Sequence, residues 1–459
     1  IPVDGVVVEG SASVDQSPIT GESMPIDKTA GEKVYAGTLV SSGALSIEVE
    51  DVGETTTLGK MIELVEEAQS QQAPVQRIAN RYANFFAPVA IVLAGATWMI
   101  TGEILRGVTM LVAICPCALV LATPTAIVAA IGNTARNGVL VKHGPAMEQI
   151  GKVDVVAFDK TGTVTFGEPE VTSIKPADGY SEEELLTLAA SAERSSEHPL
   201  ARAIIREATQ RQFILQVPEE FESVVGHGIS ALVNGMKVTV GEKMLERENV
   251  ETGEIENGDT VIPVAVDGSY AGYISVADTI RPESSQAIKN LQKLGITKTL
   301  LITGDSKSVG ERIGRELGVS EIHSEVLPER KLELIRGLQS EGHRVAFIGD
   351  GVNDAPALAA ADVGIAMGSI GTAVAMETAD IVLLTDEIEH VPYLIELSQA
   401  TLGNIRINII ISMTIVLASV GASALGYFGP VIGAIMHEVA AVPVVANAAT
   451  LIGWKSKRL

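Results

Sequence analysis

Apolar and polar positions alternate in short bursts over the first fifty residues. β-Branched residues recur between Gly and Asp turns, with Gly21, Gly31, Gly37 and Gly43 as punctuation, which predicts a small β domain. The run Ile1-Pro2-Val3-Asp4-Gly5-Val6-Val7-Val8-Glu9-Gly10 opens in what reads as the middle of a strand. The expectation is therefore a fragment that lacks the start of its first domain. From Thr55 to about Arg81 the period becomes helical, with Met61, Ile62, Leu64 and Val65 on one face. Two apolar stretches follow. Phe85–Ile100 carries no charge, Thr101-Gly102-Glu103 turns the chain, and Leu105–Ile131 has the single charge Arg106 at its start. Ile407–Phe428 and Val431–Ile452 repeat this arrangement around Gly429-Pro430. A hydrocarbon core about 30 Å thick needs about 20 apolar residues, so four membrane spans are predicted. Lys455, Lys457 and Arg458 form a positive cluster that favours the cytoplasmic side.

Between the two pairs of spans the pattern changes again. Val153–Phe158 is a continuous apolar run that ends at Asp159, and Thr299–Thr303 and Arg344–Ile348 are similar runs, each followed by Gly and Asp. Helical segments such as Ser284–Leu294 and Arg330–Leu338 lie between them. This alternation predicts a parallel sheet with its chemistry at the carboxyl ends of the strands. Residues 171–278 interrupt it and read as an inserted domain.

Composition narrows the function. Thirty-three Lys+Arg against 57 Asp+Glu give a net charge of −24, which argues against nucleic acid as a partner. Two cysteines one residue apart exclude a disulfide scaffold. A mean hydropathy of +0.29 in a chain that is 20% charged requires the apolar residues to be concentrated in blocks, as they are.

Three acidic loops end the three predicted strands: Asp159-Lys160-Thr161-Gly162-Thr163, Thr303-Gly304-Asp305 and Gly349-Asp350-Gly351-Val352-Asn353-Asp354. A carboxylate can attack a phosphoryl group and split its hydrolysis into two steps. Asp159 is the natural nucleophile, because Thr161 and Gly162 leave backbone N–H groups free to cradle phosphate oxygens. Asp350 and Asp354 suit a Mg²⁺ ion that screens the incoming charge. Lys331, on a helix after Pro328-Glu329-Arg330, can neutralise the phosphoryl oxygens.

These three loops, together with Gly349–Pro356 and Thr20-Gly21-Glu22-Ser23, resemble the signature of the P-type ATPases. The resemblance covers essentially the whole chain. It implies a multidomain membrane protein: an α-helical transmembrane bundle, a small β actuator domain, a haloacid-dehalogenase-like α/β phosphorylation domain and an inserted α+β nucleotide-binding domain. The implied boundaries are 1–55 for the rest of the actuator, 56–131 for a linker helix and two transmembrane helices, 132–170 with 279–390 for phosphorylation, 171–278 for nucleotide and 391–459 for two further helices. It also implies an aspartyl-phosphate at Asp159 formed from ATP, with Lys160, Thr161, Thr303, Gly304, Asp305, Lys331 and Asn353 around it. Mg²⁺ would sit on Asp159, Thr161, Asp350 and Asp354. Glu22 would orient the hydrolytic water. Ser196-Glu197-His198-Pro199-Leu200 resembles the heavy-metal branch, where Glu193, His198, Gly226 and Gly228 would meet the nucleotide. Gly241-Glu242 departs from the Gly-Asn often found in that branch.

Cys115-Pro116-Cys117 sits within the second apolar stretch. Proline kinks or unwinds a helix, and thiolates select soft or borderline ions such as Cu⁺, Zn²⁺ and Cd²⁺. In this span the motif resembles the heavy-metal transporters, which implies a multi-pass pump of the plasma (inner) membrane with cytoplasmic soluble domains. The identity of the ion stays open. The Tyr-Asn pair typical of copper exporters is missing from the penultimate span, and Val416 stands where zinc and cadmium members place Lys. His437-Glu438 completes a set of two thiolates, an imidazole and a carboxylate that suits a four-coordinate divalent ion, with Cu⁺ as the alternative. A soluble haloacid-dehalogenase-type phosphatase is the rival reading from another class.

Overall fold

The first strand, β1 (Asp4–Asp15), is long because its inward positions Val7, Ala12 and Val14 are small or β-branched and fully buried. It pairs antiparallel with β2 (Ile26–Lys28), β3 (Lys33–Val34) and β4 (Leu39–Asp51), giving a four-stranded sheet. Gly43, at φ +92, allows a close approach in this sheet: a Cβ there would lie 2.3 Å from Ser11 O. The structure, a computed structural model, describes residues 1–459 except 17–24, 57–58, 60–75, 115–116, 197, 225–226, 251–259, 369–372, 386, 440 and 457–459.

The apolar stretches form helices Gln76–Thr101, Ile104–Ala113 and Cys117–Arg136. The predicted second span is thus two helices. The first ends with Ile114 N–H bonded to Met110 O, and the next begins at Cys117, on either side of the proline. A short strand, β5 (Val139–Val141), follows.

β6 (Val155–Asp159) is buried at all five positions, as expected for a strand covered on both faces. The chain then leaves in β7 (Thr165–Pro176), passes through helices Glu182–Ala192 and Pro199–Gln210, and continues in β8 (Glu219–Val224), β9 (Gly228–Val233), β10 (Met236–Val240), β11 (Thr260–Val266) and β12 (Ser269–Ile280). These six strands form one antiparallel sheet in the order β7-β12-β11-β10-β9-β8. Leu185, Leu186, Ala189, Ile204, Val264 and Ile274 fill the core between that sheet and its two helices. The pair β7–β12 runs in register from Ile280↔Thr165 to Gly272↔Pro176, so it forms the stem on which this insertion stands.

After β12 the alternation resumes with β13 (Lys298–Ile302), β14 (Glu321–His323), β15 (Val345–Gly349), β16 (Val363–Met367) and β17 (Ile381–Leu383). Five parallel strands run β14-β13-β6-β15-β16, which places the end of β6 at the centre. β17 pairs antiparallel with β5. Among the described residues two helical runs are long and apolar enough to cross a membrane, His390–Ala424 (35 residues) and Pro430–Gly453 (24 residues), whose most apolar windows have mean hydropathy 1.9 and 1.6. Only 17% and 19% of their most apolar windows are buried within the protein, unlike the core helices of a soluble fold. The first of them stops at Ala424 rather than at the predicted Phe428. Gly426 turns to φ +77, and the N–H groups of Gly426 and Tyr427 return to the carbonyls of Ser423 and Ala422.

The chain divides into two compact units. One comprises Ile1–Gln69, Val155–Lys289 and Thr297–Ala379, and the other Ser70–Asp154, Asn290–Ile296 and Asp380–Leu459.

Candidate active site

Asp159 is the last residue of β6, one position inside the strand rather than just after it. The turn that follows, Lys160–Val164, is buried throughout and reverses at Gly162, φ +68. A side chain at 162 would be strained, and its Cβ would lie 2.0 Å from Asp350 Oδ2. Glycine here is what lets Asp350 close over the turn.

Lys331, fully buried on helix Pro328–Ser340, donates to Asp159 Oδ1 and, at 2.8 Å, to Asp354 Oδ1. Burial works against its charge, but the Asp159 and Asp354 carboxylates outweigh that and hold its pKa above the usual lysine value. Asp159 is raised to about 6, first by burial and then by Asp354, while Lys331 and Lys160 oppose the shift. Asp350 is pushed well above the carboxylate range by burial, Asp354 and Asp159. Asp354 Oδ2 accepts from the N–H groups of Asp350 and Gly351, at 3.2 and 3.4 Å. Among the described residues Asp159, Asp350 and Asp354 bring one ligand oxygen each within 4.8 Å of one another. Three carboxylates this close with one lysine between them fit a hard divalent cation. Asn353 is buried, with neither its amide nitrogen nor its oxygen partnered, and buried Thr163 Oγ1 also lacks a partner. These are polar atoms with hydrogen-bonding capacity left for a bound group.

The second loop is engaged differently. Asp305 Oδ2 accepts from Lys160 Nζ at 2.6 Å, so this ammonium is held by a carboxylate, and Thr303 Oγ1 accepts from Asp305 N–H at 3.1 Å. Three residues escaped the sequence reading. Asp278 accepts from Thr165 Oγ1 (2.5 Å) and Gly167 N–H (2.9 Å). Buried Arg281 donates to the carbonyls of Thr165 (3.1 Å) and Gly162 (3.4 Å), with its guanidinium 5.0 Å from the centre of the Phe166 ring. Asp278 and Arg281 thus clamp the turn after Asp159 from the strand that returns out of the insertion. The signal available in the sequence was an Asp and an Arg spaced around the re-entry to the sheet. Ser284 completes the clamp by donating to Val164 O at 3.0 Å.

A cavity of about 490 Å³ opens in the same unit, lined by Glu193, His198, His227, Gly228 and Gly241 and faced by Asp27 of the first sheet. Glu193 is buried with Oε2 unpartnered, and burial raises its pKa to about 7 against a hydrogen bond from Ser196. His198 caps helix Pro199–Gln210, its Nδ1 accepting from Leu200 N–H at 3.3 Å, and burial lowers its pKa. The backbone approach at Gly228 is to Val240: a Cβ at 228 would lie 2.0 Å from Val240 O. This glycine therefore permits β9 and β10 to close, in addition to lining the cavity. The volume and an orphaned carboxylate oxygen fit a nucleotide.

Glu22, Cys115 and Gly226 lie outside the described residues, as do the side chains of Cys117 and His437. Glu438 is described, and it is exposed near the end of helix Pro430–Val439.

Residues 1–66 match the P-type ATPase actuator domain, and residues 153–362 match the haloacid dehalogenase-like hydrolases. Over 98% of its length the chain superposes on a crystal structure of a zinc-transporting PIB-type ATPase in the E2.Pi state, with TM-score 0.91, 37% identity and 76% of that chain covered. The chain belongs to the heavy-metal branch of the P-type ATPases. Its similarity extends to pumps named for different metals. It is 41% identical to a manganese-exporting P-type ATPase of Mycobacterium tuberculosis, over 100% of this chain and 65% of that protein. With a zinc-exporting P-type ATPase of Mycobacterium marinum the identity is 42%, over 99% and 64%. With a copper-exporting P-type ATPase of Bacillus subtilis it is 41%, over 98% and 58%. The chain thus spans less than two thirds of the length of these relatives.

Proposed function

We propose that this chain carries the phosphorylation machinery and membrane path of an ATP-driven exporter of a divalent heavy-metal ion. The observation that carries the reading is Asp159, buried at the end of β6, bonded to Lys331 and within ligand reach of Asp350 and Asp354. In this reading an Asp159 carboxylate oxygen attacks the γ-phosphorus of ATP, the bond to the bridging oxygen breaks, and ADP leaves. Water then attacks the same phosphorus, releasing phosphate and restoring the carboxylate. Lys331 favours the ionised, nucleophilic form of Asp159. Asn353, Thr303 and Gly304 line the phosphoryl position, and Asp305 fixes Lys160. Glu22 orients the water. Mg²⁺ would be held by Asp159, Asp350 and Asp354 beside Thr161, where it supplies positive charge against the phosphoryl oxygens. The base and ribose of ATP occupy the cavity at Glu193, His198, Gly226 and Gly228.

The ion crosses at Cys115, Cys117, His437 and Glu438. The imidazole and carboxylate favour a divalent ion of the zinc, cadmium or cobalt kind. Copper(I) export is the second reading, favoured by the thiolate pair and by a copper-exporting relative no more distant than the others. The chain crosses the plasma (inner) membrane several times with its soluble domains in the cytoplasm, where ATP is available. The test is ATP hydrolysis by the full-length protein in lipid, titrated with Zn²⁺, Mn²⁺, Cd²⁺, Co²⁺ and Cu⁺ under reducing conditions. Stimulation by a divalent ion that is lost in Cys115→Ala/Cys117→Ala is expected. Stimulation by Cu⁺ alone would overturn the divalent assignment.

A further inference from the structure

Over its apolar half, helix His390–Ala424 is inside out. Between Ile407 and Ala424 the buried residues are Asn408, Ser412, Ser419 and Ser423, all polar. Ile407, Ile410 and Leu417 are instead 52%, 64% and 64% exposed. Steps of four, seven and four residues return to one face of an α-helix. Polar groups turned inward at membrane depth are costly and usually functional. Roughly 28 Å of helix separates Asn404 from Ser423 at 1.5 Å per residue, close to the thickness of the hydrocarbon core. The helix packs against Cys117–Arg136, which opens on the second cysteine of the Cys-Pro-Cys motif.

The two ends of this seam differ. At one end amides close on one another: Asn404 Nδ2 donates to Asn447 O (2.8 Å), Asn408 Nδ2 to Asn404 Oδ1 (3.0 Å) and Asn447 Nδ2 to Asn408 Oδ1 (2.8 Å). Beyond them hydroxyls stand open. Thr97, Thr109, Thr125 and Thr414, in the same group of apolar helices, each donate to the carbonyl four residues back, at 2.6–2.8 Å. That local bond is the usual way for a helix to satisfy a hydroxyl. Ser412 and Ser423 do not make it. Their residues are 1% and 0% exposed, and neither Oγ has a partner.

We propose that the seam is an oxygen-lined path for the transported divalent cation, with the Ser412 hydroxyl as a ligand to the ion in transit. The proposal rests on the metal-export reading above. Hydroxyl and amide oxygens suit Mn²⁺ and Zn²⁺ and are poor ligands for Cu⁺, which prefers sulfur. Neutral oxygens also hold an ion weakly enough for it to move on. Ser412 thus adds a selectivity that two thiolates alone lack.

The experiment is metal-stimulated ATP hydrolysis by the full-length pump in liposomes, with Zn²⁺, Mn²⁺, Cd²⁺ and Cu⁺ titrated separately. Ser412→Ala is expected to raise the KM for Zn²⁺ or Mn²⁺ about tenfold, with a smaller change in kcat. Ser412→Cys, nearly isosteric, should move the preference toward Cd²⁺ by a similar factor, which a purely structural hydroxyl would not do. Thr414→Val, on the exposed face, serves as the control and should match the wild type. If the wild type responds to metal and both Ser412 variants keep its KM and metal order, the path assignment fails while the pump reading stands. If the wild type responds to none of these metals, the export reading itself fails.

Discussion

The molecule buries polar groups in two places and treats them in opposite ways. At the end of β6 it concentrates ionisable groups around two ammonium ions: Lys331 lies between Asp159 and Asp354, and Lys160 faces Asp305. Between Asn404 and Ala424 of helix His390–Ala424 it buries only neutral groups, with the asparagines paired and Ser412 and Ser423 left open. A sheet end can import counter-charges from neighbouring loops, so a cluster strong enough to bind phosphate stays affordable there. A span in lipid has few such neighbours, and an unpaired charge would cost far more than an open hydroxyl. Where the phosphoryl chemistry is proposed the fold supplies fixed charge, and along the proposed ion path it supplies weak dipoles.

The largest test of this contrast removes the proposed nucleophile. Asp159→Asn should abolish acid-stable, hydroxylamine-labile phosphorylation from ATP; wild-type labelling of that variant would remove Asp159 from its role. Next comes the counter-charge. Lys331→Met leaves carboxylates facing one another without a cation and should cost about 3–5 kcal/mol in denaturant unfolding. A loss below about 1 kcal/mol would mean the cluster had neutralised itself by taking up protons.

Glu193 tests the rule from its exception, since it is buried with one oxygen unpartnered. Its pKa is raised from 4.5 to about 7 by burial, so folding favours the protonated form. That contribution is complete below pH 4.5 and is lost as pH rises through 7. Glu193→Gln should therefore match the wild type at pH 4.5 and exceed it at pH 8 by on the order of 3 kcal/mol in nucleotide-free thermal unfolding. Equal melting at both pH values would show that Glu193 is not desolvated. The smallest effect belongs to the neutral seam. Asn408→Ala removes the partner of Asn404 and Asn447, yet should cost only about 0.6–2 kcal/mol, because amide bonds in membrane helices are worth little individually. A loss as large as that of Lys331→Met would end the distinction between the two regions.

Much of the candidate site was legible in order along the chain, because apolar runs that end in Asp place carboxylates at the ends of parallel strands wherever the sheet forms. The strand limits moved by a residue or two. Predicted Val153–Phe158 became Val155–Asp159, which puts Asp159 inside the hydrogen-bonded ladder. Asp278 and Arg281 were not legible. They meet Thr165 and Gly162 across more than a hundred residues of inserted chain, and only the β7–β12 stem brings them back. The break between helices Ile104–Ala113 and Cys117–Arg136 was foreshadowed by the proline in the sequence, whereas the stop at Ala424 depended on Gly426 turning to the left-handed region.

By itself the sequence determined which segments are apolar enough to enter lipid, which strands end in acid and where glycine permits a tight reversal, because these follow from local composition and spacing. Only the tertiary structure decided that Lys331 bridges Asp159 and Asp354, that Gly162 makes room for Asp350 and that Ser412 and Ser423 of helix His390–Ala424 face inward without partners. Those outcomes depend on which surfaces pack together, and a helix or strand carries no record of its neighbours until burial selects one of its faces.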